Sequence, residues 1–288
     1  MSEVLIIGNG PAGISAALYT ARAGLKTTVI GKDTGALAKA EKIENYFGFE
    51  EPISGDKLIS QGVAQAKRLG VEIINDEVVG LNYDGSFLVK TSKNQYSADS
   101  VILATGSSRT IPPIKGTSDY EGRGISYCAV CDAFFYRDQD VAVLGNSNYA
   151  LSEAIELLPI VKSVTLITNG KSPVKNIPEG IKVITKEIAS FEGEDELLSK
   201  VCFKDGSFIN ISGVFVAIGV AGSSDLAKKL GAETNGTKIV VDENMTTNIP
   251  GLFAAGDCTG GLLQISKAVY EGAKAGTETI KFIRENKK

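Results

Sequence analysis

A chain of 288 residues with 43% hydrophobic composition can bury one large core or two of ordinary size. A net charge of -4, without a basic stripe, argues against nucleic acid and leaves small molecules or proteins as the expected partners. The longest apolar runs fall far short of the ~20 residues of a membrane span, and no charged-then-apolar leader precedes Val4, so a soluble cytoplasmic protein is expected.

Glu3 to Ile7 form an apolar strand run ending at Gly8-Asn9-Gly10-Pro11-Ala12-Gly13, and an alanine-rich helical stretch follows to Gly24. Each glycine has a role that a Cβ would spoil. Gly8 permits the tight turn, Gly10 lets backbone approach a pyrophosphate, and Gly13 lets helix and strand pack closely, while the helix start offers free amides to the anion. A plain tight turn is the alternative. The next strand, Lys26 to Ile30, is followed by Gly31-Lys32, so the acidic residue that grips an NAD ribose is missing. This weakens NAD at the first turn more than FAD.

Short β-rich runs follow at Phe87 to Thr91 and Val101 to Ala104, and Ile111-Pro112-Pro113 stiffens the exit from the first domain. Then comes Cys128-Ala129-Val130-Cys131-Asp132. Two intervening residues let the cysteines close a small disulfide ring, and such spacing commonly lowers one thiol pKa so that thiolate is available near neutrality. The alternatives are packing or half of a four-cysteine metal site. Only Cys202 and Cys258 could complete such a site; they are far apart, and the chain has no histidine, so no metal is expected. Without histidine the protons of thiol chemistry need another carrier, and Asp132 is nearest in the chain.

Asp140 to Leu144 repeat the strand pattern and end at Gly145-Asn146-Ser147-Asn148-Tyr149-Ala150, with a helical stretch to about Leu158. Val164 to Ile167, Val214 to Ile218 and Lys238 to Val241 are further strands, and Val201-Cys202-Phe203 alternates as a strand in which Cys202 reads as core. Asp242 to Thr247 is a second candidate hinge. The fold class is α/β, with two nucleotide-binding, Rossmann-like, β-rich three-layer domains, the second inserted into the first. The expected division is 1–112 with 245–288 for the first domain and 113–244 for the second.

Taken together, the first glycine turn, Glu44-Asn45-Tyr46, Ala104-Thr105-Gly106, Cys128 to Asp132 and Phe253-Ala254-Ala255-Gly256-Asp257 resemble the low-molecular-weight bacterial thioredoxin reductases over nearly the whole chain. The resemblance implies an FAD domain built from both chain ends, a homodimer, and an inserted domain carrying the redox disulfide. It implies that Cys131 lies nearest the flavin, that Cys128 attacks the disulfide of a thioredoxin-like partner, and that Asp132 is the acid. It assigns FAD contacts to Gly8, Gly10, Pro11, Ala12, Gly13, Leu37, Asn45, Val78, Thr105, Gly106, Gly256, Asp257, Gln264 and Ile265.

The departures concern the second turn. Side chains stand where an NADPH-dependent member has glycines, Thr168-Asn169-Gly170-Lys171 follows the next strand instead of an arginine pair, and no arginine occurs between Arg137 and Arg284. This pattern is similar to the ferredoxin-dependent flavin thioredoxin reductases of anaerobic bacteria, so reduced ferredoxin is the expected electron donor. NADPH bound at an atypical site, another donor, and a non-catalytic redox-sensing flavoprotein are the alternatives.

Overall fold

The computed structural model describes residues 2–32, 35–106, 113–127, 129–219 and 221–286. The chain is mixed α/β and divides into two compact units, one of residues 1–108 with 222–288 and one of residues 109–221.

In the first unit β1 (Ser2–Ile7) runs into α1 (Pro11–Arg22) and β2 (Thr27–Gly31). Val4 to Ile7 are all but inaccessible, as expected of a parallel strand covered on both faces. Pro11 opens α1 with its φ already helical and no amide to waste. The helix α2 (Gly55–Arg68) is capped by Ser54, whose hydroxyl accepts the Lys57 N–H at 3.3 Å. Then come β3 (Glu72–Asn75), β4 (Val78–Tyr83), β5 (Phe87–Thr91) and β6 (Gln95–Leu103).

The second unit begins with β7 (Ile125–Ser126), the short α3 (Ala129–Asp132), β8 (Asp140–Leu144), α4 (Asn148–Leu157), β9 (Ser163–Ile167) and β10 (Ile181–Ile184). It continues through β11 (Ile188–Glu194), β12 (Leu197–Phe203), β13 (Phe208–Asn210) and β14 (Gly213–Val216). The described strands make a parallel sheet in the order β10-β9-β8-β14-β7 and an antiparallel sheet β11-β12-β13. Along β12, Val201 and Phe203 face the core. Cys202 therefore points to the other face, where it is only partly buried near Ser190 and Glu192, rather than in the core as the sequence suggests.

The chain returns to the first unit with α5 (Ser223–Lys229), the hairpin of β15 (Thr234–Asn235) and β16 (Lys238–Ile239), then β17 (Leu252–Ala254) and α6 (Ile265–Asn286). The return falls at 222, not at the expected 245, because α5 packs on β4 and β16 packs on the turn that follows β17. The sheet of this unit runs β3-β2-β1-β6-β5-β4, with β5 pairing the first half of the long β6 and β17 the second half. Its core joins Val4, Ile6, Val29, Ile102 and Phe253 from the sheet to Ile14, Ala16, Ala275 and Ile283 from the helices. Among the described residues no helix is long and apolar enough to cross a membrane.

Candidate active site

The first glycine turn sits at the carboxyl end of β1, between the sheet and the start of α1. Gly8 adopts φ +115°, and a Cβ there would meet the Ala104 carbonyl oxygen at 2.2 Å; one on Gly13 would meet the Gly8 carbonyl oxygen at 1.8 Å. Gly10 differs, because a Cβ built on it would meet nothing within 4 Å. The space over Gly10 is open, and no side chain caps α1, so its first-turn amides are left for a ligand. This is the arrangement a pyrophosphate requires.

The C-terminal segment reaches this turn through glycine. A Cβ on Gly272 of α6 would meet the Ala12 carbonyl oxygen at 2.1 Å, and one on Gly256 would meet the Ala12 Cβ at 2.9 Å. Ser15 ties the two helices by donating to the Val269 carbonyl at 2.7 Å. Asp257, Gln264 and Ile265 therefore stand on the segment packed against Ala12 and Ser15, and Asn45 joins them by donating from Nδ2 to Gln264 Oε1 at 3.0 Å. Leu37 lies in a short 3-10 turn whose carbonyl covers Gly55, and Val78 opens β4, buried. Gly106 is left-handed at φ +79°. Thr105 is committed to the fold, since its hydroxyl accepts the Ser223 N–H at 2.9 Å and lies 2.7 Å from Ser223 Oγ.

Three charged residues of this unit escape a reading from sequence. Glu271 of α6, mostly buried, accepts the Gly256 N–H at 2.8 Å, the Thr259 hydroxyl at 2.8 Å and the Lys267 ammonium at 2.9 Å. Lys267 in turn donates to the Gly256 carbonyl at 2.8 Å, so the pair fastens both ends of the turn that presents Asp257. Glu77, 5% exposed, meets Lys32 at 3.1 Å at the end of β2, where the sequence has no acid. The Asp76 N–H bonded to the Gly31 carbonyl brings it there from the neighbouring strand. A run of two acids directly after β3 was the available signal.

In the second unit, Cys128 and the side chain of Cys131 lie outside the described residues, as does Pro112; Cys131 contributes helical backbone to α3. Asp132 closes α3 and is half-buried, with the Ser126 hydroxyl donating to its Oδ2 at 2.6 Å. The Tyr136 phenol is pushed above its usual range by burial and then by the Asp132 charge. Glu153 of α4, buried, accepts the Ala129 N–H at 3.1 Å. Next to these groups, Phe134 and Phe135 are 68% and 73% exposed, with the Arg137 guanidinium 5.1 Å from the Phe134 ring centre.

The second glycine turn is built to a different end from the first. Ser147 is the N-cap of α4 and its hydroxyl accepts the Ala150 N–H at 3.4 Å, so a side chain takes the place of a bound anion. After β9, Thr168 is buried and Asn169 accepts the Ile188 N–H at 2.7 Å, which turns both side chains into the loop. Among the described residues no cluster of His, Cys, Asp or Glu could hold a metal ion.

A profile of the pyridine nucleotide-disulphide oxidoreductases matches residues 2–272. The thioredoxin reductase of Aquifex aeolicus (strain VF5) is 36% identical, the match covering 99% of this chain and 94% of the relative. Among solved structures, the atypical thioredoxin reductase of Desulfovibrio vulgaris Hildenborough superposes with a TM-score of 0.92 at 46% identity over 99% of both chains. A ferredoxin-flavin thioredoxin reductase from Clostridium acetobutylicum gives a TM-score of 0.71 at 32% identity over 100% of this chain and 99% of that one.

Proposed function

The chain belongs to the pyridine nucleotide-disulphide oxidoreductases and, within them, to the thioredoxin reductases, which are flavin-dependent disulfide oxidoreductases; from that premise we propose that it reduces thioredoxin through Cys128 and Cys131, using FAD, with electrons from reduced ferredoxin.

The open cradle over Gly10 and the uncapped start of α1 fit the pyrophosphate of FAD, and the Gly256 to Thr259 turn would present Asp257 to the same cofactor. When bound, the flavin joins one-electron to two-electron chemistry. Two electrons open the disulfide through Cys131. Cys128 then attacks one sulfur of the partner disulfide as the other leaves as thiolate, Cys131 displaces the partner from the mixed disulfide and re-forms the bond to Cys128, and Asp132 delivers and recovers the proton at the thiol sulfur. The exposed Phe134 and Phe135 give a protein substrate an apolar face beside that chemistry. The family resemblance adds a homodimer in the cytoplasm.

The observation that carries the choice of donor is Ser147. Its hydroxyl takes one of the first-turn amides that a nicotinamide dinucleotide would need, and the loop after β9 has no arginine to hold a 2'-phosphate. Ferredoxins near about -400 mV and thioredoxin near about -270 mV leave about 130 mV, or about 6 kcal/mol for two electrons, so the transfer runs downhill without NADPH. The test is anaerobic absorbance of the flavin after separate additions of NADPH, NADH and chemically reduced ferredoxin, followed by oxidised thioredoxin. Bleaching by ferredoxin alone with recovery by thioredoxin is expected. Rapid bleaching by micromolar NADPH overturns the donor, and failure of thioredoxin to restore the colour overturns the reaction in favour of a redox sensor.

A further inference from the structure

We infer that Asn9 reads the adenosine ribose of the bound dinucleotide, its side-chain amide taking the place of the acidic residue that the end of β2 lacks. The inference rests on the reading of the first glycine turn as the FAD site.

In a dinucleotide-binding unit an acid at the end of the second strand accepts from the ribose hydroxyls. Here that position is Gly31, the last residue of β2, followed by Lys32. Gly31 is not left-handed, so its backbone does not call for glycine. What needs the missing side chain is Asn9. A Cβ built on Gly31 would stand 2.5 Å from Asn9 Cγ, 2.7 Å from its Oδ1 and 2.9 Å from its Nδ2. The amide therefore lies in the space into which the first carbon of an acid at residue 31 would project. The Gly8 N–H, bonded to the Ile30 carbonyl at 2.8 Å, ties the turn to the strand end and holds the two together.

A polar side chain packed this closely ordinarily has a partner. Asn9 is only partly buried, and among the described residues neither its Oδ1 nor its Nδ2 has one. Acceptor and donors are both open, so the one amide can accept from one ribose hydroxyl while donating to the next. Asn9 also adjoins Gly10, the residue over which the cradle is open, so the same turn serves the pyrophosphate and the sugar beside it. The nearby cation does not alter the choice of ligand, because Glu77 holds the Lys32 ammonium at 3.1 Å. The site so built is neutral. It selects hydroxyls rather than a phosphate, which suits the unphosphorylated ribose of FAD.

The test starts from the purified full chain. Its flavin, freed by heat and identified by chromatography, is expected to be FAD; a chain that carries none and takes up none when it is added overturns the cofactor reading and this inference with it. The bound flavin is then exchanged against FAD or against an FAD whose adenosine is the 2',3'-dideoxy form, and release on dilution is followed by the return of flavin fluorescence. Asn9→Ala should release FAD about tenfold faster than the parent, while the two should release the dideoxy cofactor at the same rate. Gly31→Ala, whose methyl displaces the amide without removing it, should give the same pattern, and the double variant should lose nothing further. Equal release of FAD by parent and Asn9→Ala, or an effect of the same size with both cofactors, overturns the ribose role and leaves the FAD site standing.

Discussion

Lys267 and Glu271, one turn apart on α6, meet at 2.9 Å and together hold the carbonyl and the amide of Gly256. Both are largely buried, at 15% and 11% side-chain exposure, so neither charge is well served by water if its partner is lost. Glu271→Ala leaves the Gly256 amide without its acceptor and the Lys267 ammonium, still bonded to the Gly256 carbonyl, without its counter-charge, and the expected cost is about 3 kcal/mol, or a fall in Tm of about 6–12 °C. The same variant should release FAD on dialysis faster than the parent. Thermal melts and retained flavin absorbance, measured together, decide it; an unchanged melt would show that the turn stands without the pair.

Gly13→Ala tests the closeness of α1 to β1. The new methyl would meet the Gly8 carbonyl oxygen at 1.8 Å, a backbone atom that cannot swing aside. Loss of about 3 kcal/mol or more and purification without flavin are expected. Gly10→Ala makes the contrast, since a Cβ there meets nothing in the protein. That variant should fold with the parent's Tm and bind FAD more weakly. Equal flavin content in both variants would remove Gly10 from the cofactor site.

These two glycines show what could be read from the chain alone. A missing Cβ is visible in a sequence, and so is the period of a strand, which is why both nucleotide-type turns and most strands were found in their places. The alternation of Val201, Cys202 and Phe203 was visible too, but not which face met the core. Single carboxylates such as Glu77, Glu153 and Glu271 carry no such signal, because burial of an acid is decided by what the tertiary fold brings to it. The return to the first unit at 222 was hidden for a similar reason: α5 and the β15–β16 hairpin have ordinary local patterns, and only their packing on β4 and on the turn at Asp257 assigns them.

Asp132→Asn removes the charge that Ser126 supports at 2.6 Å. Reduction of the disulfide should slow by about 10- to 100-fold, and its dependence on pH should flatten, since the amide cannot carry the proton. The Tyr136 phenol, raised first by burial and then by Asp132, should titrate at lower pH in the variant, though still above an exposed tyrosine. Stopped-flow flavin reoxidation and an ultraviolet titration of tyrosine check the two expectations. A rate unchanged in the variant assigns the proton to another group.

Cys258 is buried beside the Leu103 and Ala255 carbonyls, and burial pushes its thiol up to about 11. The folded chain thus keeps this proton more tightly than the unfolded chain. The contribution to stability is complete below about pH 9 and is lost as pH rises toward about 11, a change of at most about 3 kcal/mol. In urea melts the midpoint should fall over that interval, and Cys258→Ala should remove this part of the fall. At neutral pH the native thiol should resist labelling until the protein is denatured; prompt labelling would place Cys258 at the surface.

The glycines of α6 that admit α1 also set an order in time. As the chain is synthesised, Ala12 and Gly13 emerge about 260 residues ahead of Gly272 and Gly276, which cover Ala12 and Ala16. The inserted unit is complete at Ala221, with its own core from Ile125 to Val216. It can therefore fold on the ribosome while the nucleotide cradle at the amino terminus still waits for its last helix. Truncation within α6 should then leave the redox unit folded and the other half unable to hold its cofactor.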